Sequence, residues 1–148
     1  MKITLSESKL NFIERLGVLS EDDGQPRIMG RIWGLLMVMP TPVTAANIAE
    51  LLQISRGSVS TNMKLLTIMN VVSKSTQPGE REAFYSIAEQ PYSALIKGYA
   101  ERMSANSKTV KDSLEGIENP VVRERISNLG EFYRQTAEAN TALLDKLQ

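Results

Sequence analysis

The 148-residue chain contains no cysteine and no histidine. Thiolates and imidazoles are the usual protein ligands of zinc, haem iron and iron–sulfur clusters, so their absence excludes those sites, and disulfides with them. Nucleophilic or acid–base catalysis that depends on cysteine or histidine is excluded for the same reason. We therefore expect neither a metal site nor another cofactor.

Apolar runs long enough to cross a membrane are also missing. None reaches the roughly 18 residues that a membrane-spanning helix requires, and the amino terminus lacks the pattern of a secretory signal peptide. We therefore expect a soluble, cytoplasmic protein with no membrane partner.

Signs of an enzyme are equally scarce. The glycine-bearing segment GQPRIMGRIWG has no Gly-Lys-Ser/Thr ending and follows no predicted strand, so it is not a phosphate-binding loop. The acidic residues lie mostly on the outer faces of predicted helices, and no two of them form an evident acid–base pair. We expect a protein without catalytic activity.

The net charge is zero, which by itself argues against strong nucleic-acid binding. The distribution is uneven, however. Residues 27–81 contain six basic and two acidic side chains, whereas residues 1–26 and 82–148 each have a balance of −2. The middle of the chain can therefore present a basic face.

The first 69 residues are predicted to form four helices. An amphipathic helix is expected over residues 5–20, and a second over Arg27–Met39 that is apolar nearly all round and therefore central. Thr44 and Ser55 are N-cap candidates for two shorter helices, the second of which runs from Arg56 to Met69. Two short helices joined by a tight turn are a helix-turn-helix.

The next segment has the pattern of a two-stranded hairpin. Val71–Ser75 and Arg81–Ile87 are rich in β-branched and aromatic residues, and a Pro-Gly turn lies between them. A helix-turn-helix followed by a hairpin is a winged helix. The predicted fold is therefore mostly α-helical with a small β-hairpin wing, and this DNA-binding domain is expected at residues 1–90.

Residues 91–148 are predicted to form a helical dimerisation region. Pro91 suits the first position of one helix, and a second helix has an apolar seam with alternating steps of four and three residues, which is a heptad pattern. The seam either packs within its own chain or forms a dimer interface. Polar Thr136 and Asn140 favour the dimer, because polar seam residues often fix register and partner number. The dimer seam consists of Val122, Ile126, Leu129, Tyr133, Thr136, Asn140, Leu143 and Leu147.

The helix that follows Ser55 has a small, polar and cationic face opposite its apolar residues. Such a face can approach a major groove closely and offers donors to phosphates and base edges. The alternative is an ordinary solvated surface. The candidate DNA-binding residues are Ser55, Arg56, Gly57, Ser58, Ser60, Thr61, Asn62 and Lys64. Base discrimination is assigned to Arg56, Ser60, Thr61 and Asn62, and phosphate contact to Lys64.

Lys74, Gln77 and Arg81 lie on or beside the predicted hairpin turn. In one interpretation they reach phosphates or a minor groove, and in the other they protect a short edge hairpin by their charge or polarity. Arg81 is the strongest candidate for DNA contact, because Glu80 and Glu82 beside it would otherwise leave the wing acidic.

Three segments of the chain are distinctive: GQPRIMGRIWGLLMVMP, ANIAELLQISRGSVSTNMKLL and VVSKSTQPGEREAFY, and the combination of SRGSVSTN with PGER is specific. Together they resemble the GbsR-type branch of the MarR-like transcriptional regulators. The resemblance covers roughly residues 10–87. It implies a homodimeric winged-helix DNA-binding regulator, usually a repressor, with Ser55–Met69 as the recognition helix and Val71–Ile87 as the wing.

The best-known members of that branch respond to choline, and a quaternary ammonium ligand normally requires a cage of aromatic rings. Trp33 with Tyr92 and Tyr99 would line such an effector cavity, unless all three are plain core residues. The sequence does not name an effector.

The sequence thus predicts a sequence-specific transcriptional repressor, a homodimer that binds double-stranded DNA at a palindromic operator. Two alternatives remain open. One is a winged helix that binds proteins rather than DNA, supported by the modest +4 balance of residues 27–81. The other is a DNA-binding regulator with a small-molecule sensor pocket near Trp33.

Overall fold

The computed structural model describes residues 2–148. These residues form six helices and three strands, and the chain divides between Pro91 and Tyr92 into two compact units. Within residues 2–148, no helix has the length and apolar character needed to cross a membrane. The elements are α1 (Glu7–Asp22), α2 (Arg27–Val38), β1 (Val43–Thr44), α3 (Ala45–Leu52), α4 (Arg56–Ile68), β2 (Val72–Ser75), β3 (Phe84–Ile87), α5 (Pro91–Asp112) and α6 (Pro120–Leu147).

Helices α1 and α2 form a closely packed pair in the first unit. Helix α1 begins two residues later than predicted because Ser6 is its N-cap and accepts a hydrogen bond from the Lys9 N–H at 3.3 Å. At Gly30 of α2, a Cβ atom would lie 2.5 Å from the Leu16 carbonyl oxygen. The close approach of the two helices therefore requires glycine at this position.

Helix α2 is central, as its apolar sequence predicts. It packs against α1, α3, α4 and β3, and Ile32 and Leu35 are fully buried. Arg31 ties it to its neighbours: the guanidinium donates to a Glu14 carboxylate oxygen at 2.9 Å and to the Leu52 carbonyl at 3.1 Å. That carbonyl belongs to the last turn of α3, where it has no partner within the helix.

Helices α3 and α4 form the predicted helix-turn-helix. Thr44 caps α3 in a capping box: its hydroxyl accepts from the Asn47 N–H, and the Asn47 side chain accepts from the Thr44 N–H. Gln53 ends α3 in the left-handed conformation, with φ of 55°, which turns the chain toward Ser55 and the start of α4. The predicted caps at Thr44 and Ser55 are both present.

The sheet differs from the predicted two-stranded hairpin. It has three antiparallel strands in the order β1-β3-β2, because Val43 and Thr44 pair with Tyr85 and Phe84. Two residues are too few to show an alternating pattern, so β1 is not evident from the sequence. Strand β3 begins at Phe84, three residues later than predicted.

The second unit is a pair of helices with little core of its own. Asn119 caps α6 by accepting from the Val121 and Val122 N–H groups, and the Ser107 hydroxyl of α5 donates to the Gly130 carbonyl of α6 at 3.0 Å. Among residues 92–148, no large apolar side chain is fully buried. The large apolar side chains of α6 are therefore at most partly buried within this unit.

Candidate nucleic-acid interface

The start of α4 is fixed by a side-chain cap. The Ser55 hydroxyl accepts a hydrogen bond from the Ser58 N–H at 3.0 Å, and Arg56 is the first helical residue. A helix amino terminus presents free N–H groups and the positive end of its dipole, which together favour a phosphate or another anion. Arg56 places a guanidinium beside them, which is paired with the Glu82 carboxylate.

The two faces of α4 separate as the sequence predicts. Val59, Met63 and Leu66 are buried in the first unit and hold the helix against its core. The opposite side is exposed to solvent and carries short polar groups and two cations. We call this the polar face of α4; it consists of Arg56, Gly57, Ser60, Thr61 and Lys64.

Two predicted residues of α4 lie away from that face. Asn62, which was assigned to base discrimination, is only 7% exposed, and its side-chain amide donates to the Ser58 carbonyl at 2.8 Å. The expectation of an accessible Asn62 is therefore wrong, because the helix turns this residue into the unit beside Met63. Ser58 is half-buried at the edge of the polar face.

The polar face of α4 and the hairpin border one open groove of about 620 Å³. Strand pairing sets Lys74 of β2 opposite Tyr85 of β3. Both side chains line the groove together with Arg56, Ser60 and Lys64 of α4. These five side chains supply three cations, a hydroxyl and a phenol, which are donors suited to phosphate oxygens.

The connection between β2 and β3 is exposed from Thr76 to Glu82. The Glu80 N–H donates to the Gln77 carbonyl at 3.1 Å, and Gly79 has a φ of 84°, which the Pro-Gly sequence of this turn predicts. Gln77 and Arg81 are both exposed on this turn. We call β2, this connection and β3 the wing.

Sequence reasoning missed two residues of this surface. Tyr85 lies within the predicted strand Arg81–Ile87, and its place opposite Lys74 depends on the register between β2 and β3, which the length and geometry of the connection set rather than alternation along β3 alone. Glu82, in the wing, forms an ion pair with Arg56. The two residues lie 26 positions apart, so no local pattern in the sequence reveals the pair.

The predicted aromatic effector site involves both units. In the first unit, Trp33 lines a cavity of about 90 Å³ together with Leu16, Met29 and Met69. Ligand pockets usually measure about 300–1,000 Å³, so this cavity is too small for a typical effector. In the second unit Tyr92 and Tyr99 are both exposed, and the Tyr99 ring lies 5.9 Å from the guanidinium carbon of Arg102.

The predicted dimer seam runs along α6. Its apolar members Val122, Leu129, Leu143 and Leu147 are exposed, and the others are half-buried. The two polar members bond to their own helix: the Thr136 hydroxyl donates to the Phe132 carbonyl and the Asn140 amide to the Thr136 carbonyl, both at 2.8 Å. The seam is accessible on this chain.

An ion-pair network lies on another side of α6. The Arg134 guanidinium donates to the Glu131 carboxylate at 2.6 Å and lies 2.9 Å from a Glu138 oxygen. The hydrogen bond from Arg134 lowers the pKa of Glu131 from 4.5 to about 2. Glu131 is therefore ionised at neutral pH.

No protein-family model matches the chain. The chain is 27% identical over 97 residues to the HTH-type transcriptional regulator MmpR5 of Mycobacterium tuberculosis (strain H37Rv), a match that covers 65% of this chain and 57% of that protein. This chain thus spans little more than half the length of MmpR5. It is also 23% identical over 134 residues to YvaV of Bacillus subtilis (strain 168), whose name provisionally designates it an HTH-type transcriptional regulator. That match covers 90% of this chain and 73% of YvaV.

A solved structure, described as the crystal structure of a transcriptional regulator, superposes with a TM-score of 0.84 at 20% sequence identity. The superposition covers 94% of this chain and 97% of that one. At this identity the likeness concerns the fold. Together with the helix-turn-helix and the three-stranded antiparallel sheet, it identifies the chain as a mostly α-helical winged-helix protein.

Proposed function

We propose that the protein is a sequence-specific DNA-binding transcriptional regulator that acts as a homodimeric repressor in the cytoplasm. The observation that carries the proposal is the groove between α4 and the wing, where Arg56, Lys64 and Lys74 converge beside exposed Ser60. The names of the two relatives support the same function. The resemblance of residues 10–87 to the GbsR-type branch supports the repressor role.

The residues of this surface divide into two groups. Lys64, Lys74 and Arg81 supply phosphate contacts, which provide affinity but carry no sequence information. Arg56, Ser60 and Thr61 supply base contacts from the first turns of α4, the part of a recognition helix that reads base edges. Buried Asn62 is left out of the second group.

A homodimer accounts for the exposed seam of α6. The second unit buries no large apolar side chain among residues 92–148, so a second copy of the chain would supply the missing apolar surface. A two-fold dimer would place two α4 helices in successive major grooves, with half-sites about 10 base pairs apart or a multiple of that. We therefore expect a palindromic operator.

The function is tested by selecting bound duplexes from a random-sequence library at low and moderate salt and sequencing them. A palindromic site recovered at both salt concentrations is the expected result. Recovery of all sequences, lost at moderate salt, would instead indicate a general DNA-coating protein. No recovery at either salt from a folded dimer would favour the protein-binding alternative, for which the modest +4 balance of residues 27–81 is the best support.

The phosphate assignment of Lys64 is tested on the selected duplex. Lys64→Ala should weaken binding equally on all sequences and reduce the slope of log K against log salt by about 1 per protomer. Lys111→Ala removes an exposed lysine of α5 and serves as the matched control, with an unchanged slope. A change in sequence preference with Lys64→Ala would reassign this residue to base contact.

A further inference from the structure

The ion pair between Arg56 and Glu82 is unlike the rest of the candidate interface. Arg56 begins α4, and Glu82 lies two residues before β3 in the wing. The two side chains are 64% and 45% exposed, so both remain accessible to a bound duplex. A carboxylate at this position repels phosphate, and affinity for DNA alone does not explain why it is there.

The pair changes what Arg56 can offer to DNA. A guanidinium beside a carboxylate has little net charge to give a phosphate, so its contribution to sequence-independent binding is small. It still has spare donors: one N–H of Nη2 bonds to Glu82, while the second Nη2 N–H and the N–H groups on Nε and Nη1 remain. The second Nη2 N–H and the N–H beside it on Nε or Nη1 form the two-donor edge that bonds O6 and N7 of one guanine, the pair of acceptors that arginine most often reads.

We propose that Glu82 is a specificity-determining residue, which positions Arg56 for a guanine and lowers the affinity of the protein for non-operator DNA. The inference rests on the proposed DNA-binding function. Glu82 itself needs no contact with the operator, because it acts by holding the guanidinium and cancelling its charge toward phosphates. The preference for the operator over non-operator DNA thereby increases without a gain in affinity for the operator.

The test compares Glu82→Gln with Glu80→Gln, which removes the same charge from the same exposed wing connection. Dissociation constants are measured for the selected operator and for a scrambled duplex of equal length and composition, over a range of salt. For the Glu82→Gln dimer we expect about 2- to 20-fold tighter binding to the scrambled duplex, the size of two exposed ion pairs. Its salt slope should steepen by about 1 per protomer, as each freed guanidinium contacts a phosphate.

The ratio of operator to scrambled affinity decides the outcome. A ratio that falls in Glu82→Gln and not in Glu80→Gln supports the inference, provided that the fall disappears when Arg56→Ala is also present. An equal response of the two variants would overturn it as a general effect of wing charge, and a fall that persists without Arg56 would overturn the role through that residue. A wild-type protein with no operator preference would overturn the proposed function itself.

Discussion

Arg56 can interact with a carboxylate, a phosphate or a base edge, and its surroundings determine which. Its place at the start of α4 is evident from the sequence, because Ser55 is a recognisable N-cap. Its ion pair with Glu82 is not, since folding of the wing brings the two together. The position of a functional side chain could thus be predicted, whereas its partner could not.

Asn62 shows that residue type and helical spacing can also suggest a DNA contact that the fold does not allow. Its residue type suits the recognition of adenine, and its spacing places it on the flank of α4. The side chain is nevertheless buried, because the flank on which it lies is covered in the folded unit. Helical periodicity predicts the centre of an apolar face well and its edges poorly.

Glu131 provides a prediction at the scale of one residue. Its pKa of about 2 follows from the hydrogen bond that the Arg134 guanidinium donates to the carboxylate. The carboxyl carbon should therefore titrate near pH 2 in an NMR titration, and Arg134→Ala should move the midpoint toward 4.5. Because the folded pKa is depressed, the pair stabilises the fold above about pH 4.5, and this contribution is lost as the pH falls toward 2. A midpoint near 4.5 in the wild type would contradict the assignment.

At the scale of elements, the structure agrees with the sequence where a segment has its own local signal. Helices α2, α3 and α4 were predicted to within one or two residues by apolar periodicity, N-caps and proline. Strand β1 has only Val43 and Thr44, and it forms because these residues pair with the edge of β3. A two-residue strand defined by its partner cannot be recognised in a single sequence.

The packing of α1 on α2 supports a prediction at this scale. Gly30→Ala should destabilise the fold by about 1–3 kcal/mol, because the added methyl would overlap the Leu16 carbonyl and α1 would have to move. Urea unfolding measures the change, and the fluorescence of Trp33, the single tryptophan, reports it from α2 itself.

Gly57→Ala is the matched control for that substitution. A Cβ atom there meets only the Ser55 hydroxyl at 3.8 Å, and alanine is favoured over glycine in helices, so stability should stay equal or rise by up to about 1 kcal/mol. Equal losses in the two variants would contradict the close-packing argument. They would show instead that replacing a helical glycine lowers stability regardless of the space around it.

At the scale of the whole molecule, the two units differ in how much apolar surface they bury. The first unit has a core built from all four of its helices and the sheet, with Ile32, Leu35 and Leu66 fully buried. The second unit has no core of comparable size, and Leu129 and Leu143 of the α6 seam are 46% and 41% exposed. Exposed apolar side chains at heptad spacing are typical of a helix that packs on a partner.

The oligomeric state therefore gives the last prediction. Sedimentation velocity should show twice the chain mass for the wild type. Leu129→Glu should raise the dimer dissociation constant by about 100-fold or more. In the proposed dimer each protomer would lose a buried leucine and gain a buried charge. Asn128→Glu adds the same charge at an exposed position off the seam, next to Leu129, and should leave the dimer intact. A monomeric wild type, or equal dissociation of both variants, would contradict a seam centred on Leu129. If Leu129→Glu also loses the palindromic operator while it still binds scrambled duplex at low salt, dimerisation and sequence reading are linked through the spacing of two α4 helices.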